Sequence, residues 1–357
     1  MRVARPLPLL LLALLTACAG HPVRAAKPAG PGPIRLHVKS LPRQGLLLQE
    51  GRSVLLVGLD GHRYLKLRNY WIGNPDWLKP AVFDRAVNLS ERLDDEWMGA
   101  YPGFAVLGNR RGQMYRLDPE RRALIPVDLR HISLPGGAVL VERMRDHDIL
   151  FTITSKKLRL KMTGSTFHGT DIRVIDGKVA VDGTKAVDLE TGERWKIAAD
   201  CKVAGEDNGT LYALCGRYVS RSRGYAMYLV AYSRHGTQRH SVDLGGAPGI
   251  GWLSPNGRYV ATMTATSCGP APSELIVVKT GEVRPLKAGS KWTTGAIFGW
   301  TSDSRLVATV STDFSECADE GPPPPIYVID PRTLSHRYVL TTSDVWIYMW
   351  GTLENPS

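Results

Sequence analysis

The chain predicts an all-β fold, and within that class a β-propeller of seven four-stranded blades, with six or eight also allowed by the spacing. Three observations carry this. The stretch Gly251–Met263 returns as Gly299–Val310, each copy reading as strand, Ser-led turn and strand. From Ile34 onward short β-branched runs alternate with Gly, Pro, Asn and Asp turns at intervals of roughly 8–12 residues, with no strand–helix alternation. Seven hairpin turns mark the units: Asp60–Gly61, Asp118–Pro119, Ser155–Lys157, Thr191–Gly192, His235–Gly236, Thr280–Gly281 and Pro331–Arg332. A unit of this size cannot bury its own faces, so a repeat of such units implies a radial array of sheets.

The N-terminus reads separately. Arg2 and Arg5 precede an uninterrupted apolar run from Leu9 to Leu15. That run is well short of the roughly 20 residues that span a bilayer, so residues 1–17 are expected to be a signal peptide. Leu15-Thr16-Ala17-Cys18 resembles a bacterial lipobox. The resemblance implies lipid (diacylglycerol, palmitate) on Cys18, an extracytoplasmic address and anchoring to a bacterial membrane. The alternative is ordinary secretion with cleavage at Ala17-Cys18-Ala19. Residues 18–33 are rich in Pro and Gly and read as a tether, able to hold the domain about 45 Å from the lipid at about 3 Å per residue. Residues 34–357 are expected to be one propeller domain.

The first strands, near Gly45–Glu50, Ser53–Leu59 and Tyr64–Leu67, lack an innermost partner. Val345–Gly351 has the character of an innermost strand with nothing after it. Pairing the two would close the circle and remove two open edges. An insert at about 70–96, read as joining the first unit to the second, is too long for a plain turn, and Asn88–Glu91 within it fits a helix cap. Trp252, Trp300 and Trp346 are read as equivalent packing residues between blades.

Ser254-Pro255-Asn256-Gly257-Arg258-Tyr259-Val260-Ala261 and, less fully, Ser302–Ala308 resemble the repeat of TolB-like and prolyl-oligopeptidase-type propellers. The resemblance implies the propeller and no particular activity, because the fold hosts many functions.

Besides Cys18 there are four cysteines, an even number for an oxidising compartment. Cys201 and Cys215 lie symmetrically about a turn centred on Asn208, so they should oppose each other in a hairpin. Cys268 and Cys317 follow the repeated strands of successive blades. The expected pairs are therefore 201 with 215 and 268 with 317.

No motif for catalysis, phosphate or dinucleotide binding stands out, and the nine His show no metal-ligand spacing. Asp146-His147-Asp148 reads as a solvated turn, and Glu206-Asp207-Asn208-Gly209 as a hairpin turn that needs no ion. No cofactor and no catalytic or metal residue is therefore assigned. The net charge of +11 favours acidic partners. Removing Arg2 and Arg5 leaves it strongly positive.

Candidate contact residues are Trp71 and Trp77 in the insert and Arg217, Tyr218, Arg221, Arg223 and Tyr225 in a stretch read as a loop on the same rim. The leading expectation is a tethered, non-enzymatic, monomeric propeller binding an envelope protein, with no nucleic-acid partner. The first alternative is a binder of acidic wall polymer or lipid headgroups. The second is a propeller hydrolase, lyase or cyclase with its site at the central channel.

Overall fold

The computed structural model describes residues 32–72, 106–111, 113–126, 131–134, 137–145, 148–155, 159–165, 172–175, 179–182, 184–188, 190–220, 224–233, 238–243, 250–263, 265–266, 269–270, 273–286, 293–311, 325–341 and 347–350. Among them the regular structure is entirely β-strand.

Strand β1 (Ile34–Arg35) precedes β2 (Gly45–Glu50), β3 (Ser53–Gly58) and β4 (Arg63–Arg68). Next come β5 (Tyr70–Ile72), β6 (Val106–Asn109), β7 (Met114–Asp118) and β8 (Ala123–Pro126), then β9 (His131–Leu134), β10 (Gly137–Arg145), β11 (Asp148–Ser155) and β12 (Arg159–Ser165). The fourth group is β13 (Ile172–Ile175), β14 (Val179–Asp182), β15 (Lys185–Asp188) and β16 (Arg194–Lys196). The fifth is β17 (Cys201–Asp207), β18 (Thr210–Ser220), β19 (Gly224–Ser233) and β20 (Gln238–Asp243). In the sixth, β21 (Ile250–Leu253) and β22 (Tyr259–Met263) are followed by a small ribbon, β23 (Ala265–Thr266) and β24 (Gly269–Pro270), before β25 (Glu274–Val277) and β26 (Val283–Pro285). The last are β27 (Thr293–Trp300), β28 (Leu306–Ser311), β29 (Ile326–Ile329), β30 (His336–Leu340) and β31 (Ile347–Trp350).

Apart from the two-stranded β23–β24 ribbon, these strands make seven antiparallel sheets among the described residues, numbered by chain order, each built on a four-stranded meander. Sheet 1 is completed by β31, which pairs with β2 in the register Gly45↔Trp350 to Leu48↔Ile347. The C-terminal strand therefore does supply the innermost partner that the N-terminal strands lack. Sheet 2 gains a fifth strand, β1, on its outer edge against β8.

Five of the seven landmark turns, Asp60–Gly61, Asp118–Pro119, Thr191–Gly192, Thr280–Gly281 and Pro331–Arg332, fall between the third and fourth strands of their sheets; Lys156, Lys157, His235 and Gly236 lie outside the described residues. Four open on an Asp whose side chain accepts backbone N–H groups of the turn, which is the reason Asp recurs there. Asp60 Oδ1 accepts from His62 N (2.9 Å), Asp118 Oδ1 from Arg121 N (2.8 Å), Asp188 Oδ1 from Thr191 N (2.7 Å) and Asp330 Oδ1 from Arg332 N (2.8 Å).

The core is a series of layers between consecutive sheets. Trp195, Val203 and Ala213 pack between sheets 4 and 5. Leu214, Leu229, Leu253 and Val260 fill the gap between sheets 5 and 6. Ala261, Leu275, Trp300 and Leu306 lie between sheets 6 and 7. Val307, Val328, Leu46 and Met349 join sheet 7 to sheet 1, and Leu47, Leu56, Trp350, Leu107 and Leu124 join sheet 1 to sheet 2. The middle strands of a sheet buried on both faces read as continuous apolar runs, as Leu46-Leu47-Leu48 and Val54-Leu55-Leu56-Val57 do.

The strand 1–2 turns knit neighbouring sheets together. Asn256 N donates to Ser304 Oγ (3.2 Å) between sheets 6 and 7, and Ser302 N donates to Gln44 Oε1 (3.0 Å) between sheets 7 and 1. These contacts correct the alignment of the two repeat turns. Ser254 Oγ accepts from Tyr259 N (3.0 Å), and its counterpart is Thr301, whose Oγ1 accepts from Arg305 N (2.8 Å). Asn256 therefore matches Asp303, and Gly257 matches Ser304, with left-handed φ values of 66° and 62°.

The pairing of Trp252 with Trp300 as equivalents fails for the same reason. Trp252 lies opposite Ala261, while Trp300 lies opposite Leu306 beyond a bulge at Phe298. A one-residue slip reverses the face a side chain takes. Both indoles consequently meet in the same layer from opposite sides, with Trp300 Nε1 donating to Trp252 O (2.9 Å). Trp346 lies outside the described residues.

Gly257 is a sharp test of this turn geometry. A Cβ there would sit in left-handed backbone and overlap the Asp207 carboxylate across the sheet 5–6 seam. Gly257→Ala is expected to cost on the order of 1–3 kcal/mol, read as a shift of the chemical-denaturation midpoint. An unshifted midpoint would reject the assigned conformation.

Candidate functional site

Antiparallel meanders place the strand 2–3 turns and the sheet-to-sheet connections at one edge of the sheets, and the 1–2 and 3–4 turns at the other. This geometry relocates the expected insert. The connection from sheet 1 to sheet 2 is the short step from Arg68 to Tyr70, with Asn69 in left-handed backbone (φ 62°). Tyr70–Ile72 are strand β5, paired with β6 in the register Tyr70↔Asn109 to Ile72↔Leu107. The stretch that follows runs from the first to the second strand of sheet 2, so its two ends, Ile72 and Val106, lie at the edge opposite the sheet-to-sheet connections. Trp77 and Asn88–Glu91 are outside the described residues.

Residues 216–225, expected as a loop, are mostly strand. β18 and β19 pair through Gly216↔Met227, Arg217↔Ala226 and Tyr218↔Tyr225 as far as Ser220↔Gly224. Their neighbours stop earlier: β17 pairs only up to Cys215 and β20 only from Tyr228. The hairpin thus outruns its own sheet as a two-stranded ribbon on the edge that carries the sheet-to-sheet connections. Arg217, Tyr218 and Tyr225 lie on that ribbon, and Arg221 and Arg223 are outside the described residues.

Trp71 stands in a different setting, at the same edge. It borders a cleft of about 530 Å³ together with Gly51, Arg52 and Arg110. Arg52 belongs to the β2–β3 turn and Arg110 to the β6–β7 turn. One side chain positions two of the three. Gln49 Nε2 donates to Gly51 O (2.7 Å) and Ser53 O (3.1 Å), the residues flanking Arg52. The same group reaches Tyr70 O (3.4 Å), and Gln49 Oε1 accepts from Ile72 N (2.8 Å), the residues flanking Trp71. The turn carrying Arg110 is held by Asn109, whose Oδ1 accepts from Arg111 N (2.9 Å) and Gln113 N (3.1 Å).

Behind the cleft lies a polar cluster. Asn109 Nδ2 and Tyr115 Oη both donate to Gln113 Oε1, at 2.9 and 3.1 Å. Tyr70 meets Tyr115 edge to face at 6.2 Å. Burial pushes both phenols above their ordinary range, and Tyr115 adds to the effect on Tyr70. Both stay neutral at physiological pH, so the positive charge of the two arginines is not offset by a phenolate.

Arg52 and Arg110 are exposed, and neither makes an ion pair among the described residues. Four other described cations are paired: Arg121 with Asp118, Arg284 with Glu282, Arg305 with Asp303 and Lys66 with Glu50. Nothing in the sequence distinguished Arg52 or Arg110 from the remaining arginines. Gln49 had no signal either, since its role is set by a strand 21 to 23 residues away.

Among the described residues no three His, Cys, Asp or Glu side chains gather as metal ligands. Asp146 and His147 lie outside them. Glu206 is used within its own turn, accepting from Gly209 N (2.5 Å). Burial raises the Glu274 carboxyl above its ordinary range. Cys201 and Cys215 are register partners joined by a disulfide, with Cα atoms 3.9 Å apart. Cys18, Cys268 and Cys317 fall outside the described residues. No described helix is long and apolar enough to cross a membrane.

No protein-family model matches the chain, and no characterised protein matches it in sequence. Among solved structures it is similar to an apocarotenoid oxygenase from Synechocystis (12% identity, 91% of this chain and 96% of the other, TM-score 0.45). It is also similar to a prolyl endopeptidase (10% identity, 86% of this chain, TM-score 0.45), of which it spans only 50%. A protein assigned as TolB from Agrobacterium tumefaciens gives 12% identity over 68% of this chain and 78% of that one, with TM-score 0.32. At these scores the architecture rests on the strand pairing described above and not on the likenesses.

Proposed function

We propose that the seven sheets are the blades of one propeller, closed through sheet 3. It is tethered outside a bacterial membrane by lipid on Cys18, and it serves as a non-catalytic binding module for an acidic ligand of the cell envelope. The observation that carries this reading is the pair of exposed arginines, free of acidic partners among the described residues, beside the half-buried indole of Trp71. Unpaired guanidinium groups beside an apolar plate are the complement of an anion with an apolar face. The basic balance of the chain adds long-range attraction.

Two measurements test the reading. The unlipidated domain is expected to be retained on a dextran sulfate matrix and released by salt, as exposed charge contacts are screened. Arg52→Ala/Arg110→Ala is expected to elute at clearly lower salt; coincident elution would reject the rim as the anion site. The full chain is expected to take up labelled palmitate, and Cys18→Ala to abolish the label.

A second reading, capture of an envelope protein, is favoured by the β18–β19 ribbon. Its backbone edges beyond Gly216 and Met227 have no neighbouring strand among the described residues, and free edges accept an added strand. Replacing residues 217–225 with a two-residue turn would then remove a cross-linked protein partner while leaving anion retention intact.

A further inference from the structure

We infer that the cleft at Arg52, Trp71 and Arg110 is a built subsite for an acidic saccharide, one carrying carboxylates on a pyranose ring. The inference rests on the binding reading above and names its ligand class. Three features of the cleft point to it.

The first is the indole. Trp71 lies directly across the ladder from Gly108. A glycine contributes no side chain, so the cross-strand neighbour that would normally cover an aromatic ring on that face is missing. Trp71 is half-buried and lines the cleft. A flat apolar plate of this kind suits the C–H face of a sugar ring.

The second is the choice of cation. Both charges at the cleft are arginines, whose planar forks bind a carboxylate through two parallel hydrogen bonds. They come from turns of two different sheets and line the same cleft as Trp71, so one ligand there can meet both charge and the indole. A nucleobase would also stack. Tyr70, however, is turned to the layer between sheets 1 and 2, so no second described aromatic stands over Trp71 to sandwich a base.

The third is preorganisation. Gln49 ties down both residues that flank Arg52 and both that flank Trp71. Asn109 does the same for the turn that carries Arg110. A scattered basic surface needs no such bracing. Fixing the backbone before the ligand arrives lowers the ordering cost of binding. Gln49 is accordingly a positioning residue.

The test is calorimetric titration of the folded domain with an alginate hexasaccharide, beside a neutral cellohexaose, inorganic polyphosphate and an oligothymidylate. The alginate is expected to bind and the cellohexaose not. Arg52→Ala/Arg110→Ala and Trp71→Ala are each expected to weaken the alginate at least tenfold, with Trp71→Phe retaining part of the affinity. Gln49→Ala is expected to weaken it with unchanged salt dependence, because no charge is removed. Absence of alginate binding, or binding that neither variant alters, overturns the inference. Polyphosphate bound as tightly as alginate and indifferent to Trp71→Ala also overturns it, leaving a simple anion patch. Oligothymidylate bound more tightly with the same variant dependence overturns it in favour of a base-stacking site. In the failing cases, continued arginine-dependent retention on dextran sulfate shows that the broader binding reading stands without the saccharide.

Discussion

Replacing Trp350 with Ala is expected to destabilise the protein by about 3–5 kcal/mol, the range for emptying a core site of a large aromatic side chain. Trp350 is 2% exposed and packs in the layer between sheets 1 and 2 beside Leu47, Leu56 and Leu107. Its Nε1 donates to Pro42 O (3.3 Å), so truncation also removes the partner of a backbone carbonyl. The position matters beyond its area. β31 reaches sheet 1 only through its ladder with β2, and Trp350 faces Gly45 at one end of that ladder. Gly45 leaves room for the indole: a Cβ there would overlap both Trp350 and the carbonyl of Val57. Gly45→Ala should therefore weaken the same pairing from the other strand. Half-buried Trp252 is the control, and Trp252→Ala should cost markedly less. The measurement is guanidinium unfolding, where a lowered midpoint at constant slope reports stability alone. A Trp350→Ala midpoint within about 1 kcal/mol of the parent would mean that β31 does not close sheet 1.

Much of this seam was legible in the sequence, because it depends on pattern and composition. A strand-like C-terminus with no successor and N-terminal strands with no inner partner have one economical solution, the observed β31–β2 ladder. The five described strand 3–4 turns were equally legible, since Asp, Gly and Pro mark turns for local reasons that tertiary packing leaves alone.

Register was not legible. The turn after Trp252 and the turn after Trp300 differ by one residue, and matching Ser254 to Ser302 put the two indoles on the same face. The structure matches Ser254 to Thr301, a hydroxyl for a hydroxyl, and a bulge at Phe298 sets Trp300 toward sheet 6. The cleft escaped notice for a different cause. Arg52, Trp71 and Arg110 are brought together by a turn of sheet 1 and by a strand and a turn of sheet 2, and the residues that brace them are an ordinary Gln and an ordinary Asn. Trp71 drew attention for belonging to a long insert, whereas its significance lies in being strand, opposite a glycine.

Removing the Cys201–Cys215 cross-link by Cys201→Ala/Cys215→Ala is expected to cost about 3 kcal/mol, the loop-entropy figure for a loop of this size. The two cysteines are 14 residues apart. Their opposition depends on two compensating features. Asn208 and Gly209 form a two-residue turn with Asp207 opposite Thr210, a register that by itself would set Cys201 against Gly216. A bulge at Ala204, where the register slips between Val203 and Gly205, shifts the pairing by one and brings Cys201 to Cys215. Symmetry about Asn208 in the sequence thus reached the right pair without the bulge that makes it right. The sulfurs lie in the layer between sheets 4 and 5 at 8% and 7% exposure, with Tyr232 Oη 3.4 Å from Cys201 Sγ. Buried sulfur is slow to meet a reductant, so dithiothreitol under native conditions should reduce the bond no faster than the domain opens. Ready reduction of the folded protein, or a double-Ala variant as stable as the parent, would place the bond outside the core. The cross-link and Trp350 belong to different layers with no residue in common. Their costs should therefore add within about 0.5 kcal/mol in the triple variant. A larger departure would show that strain in one layer is felt in the other.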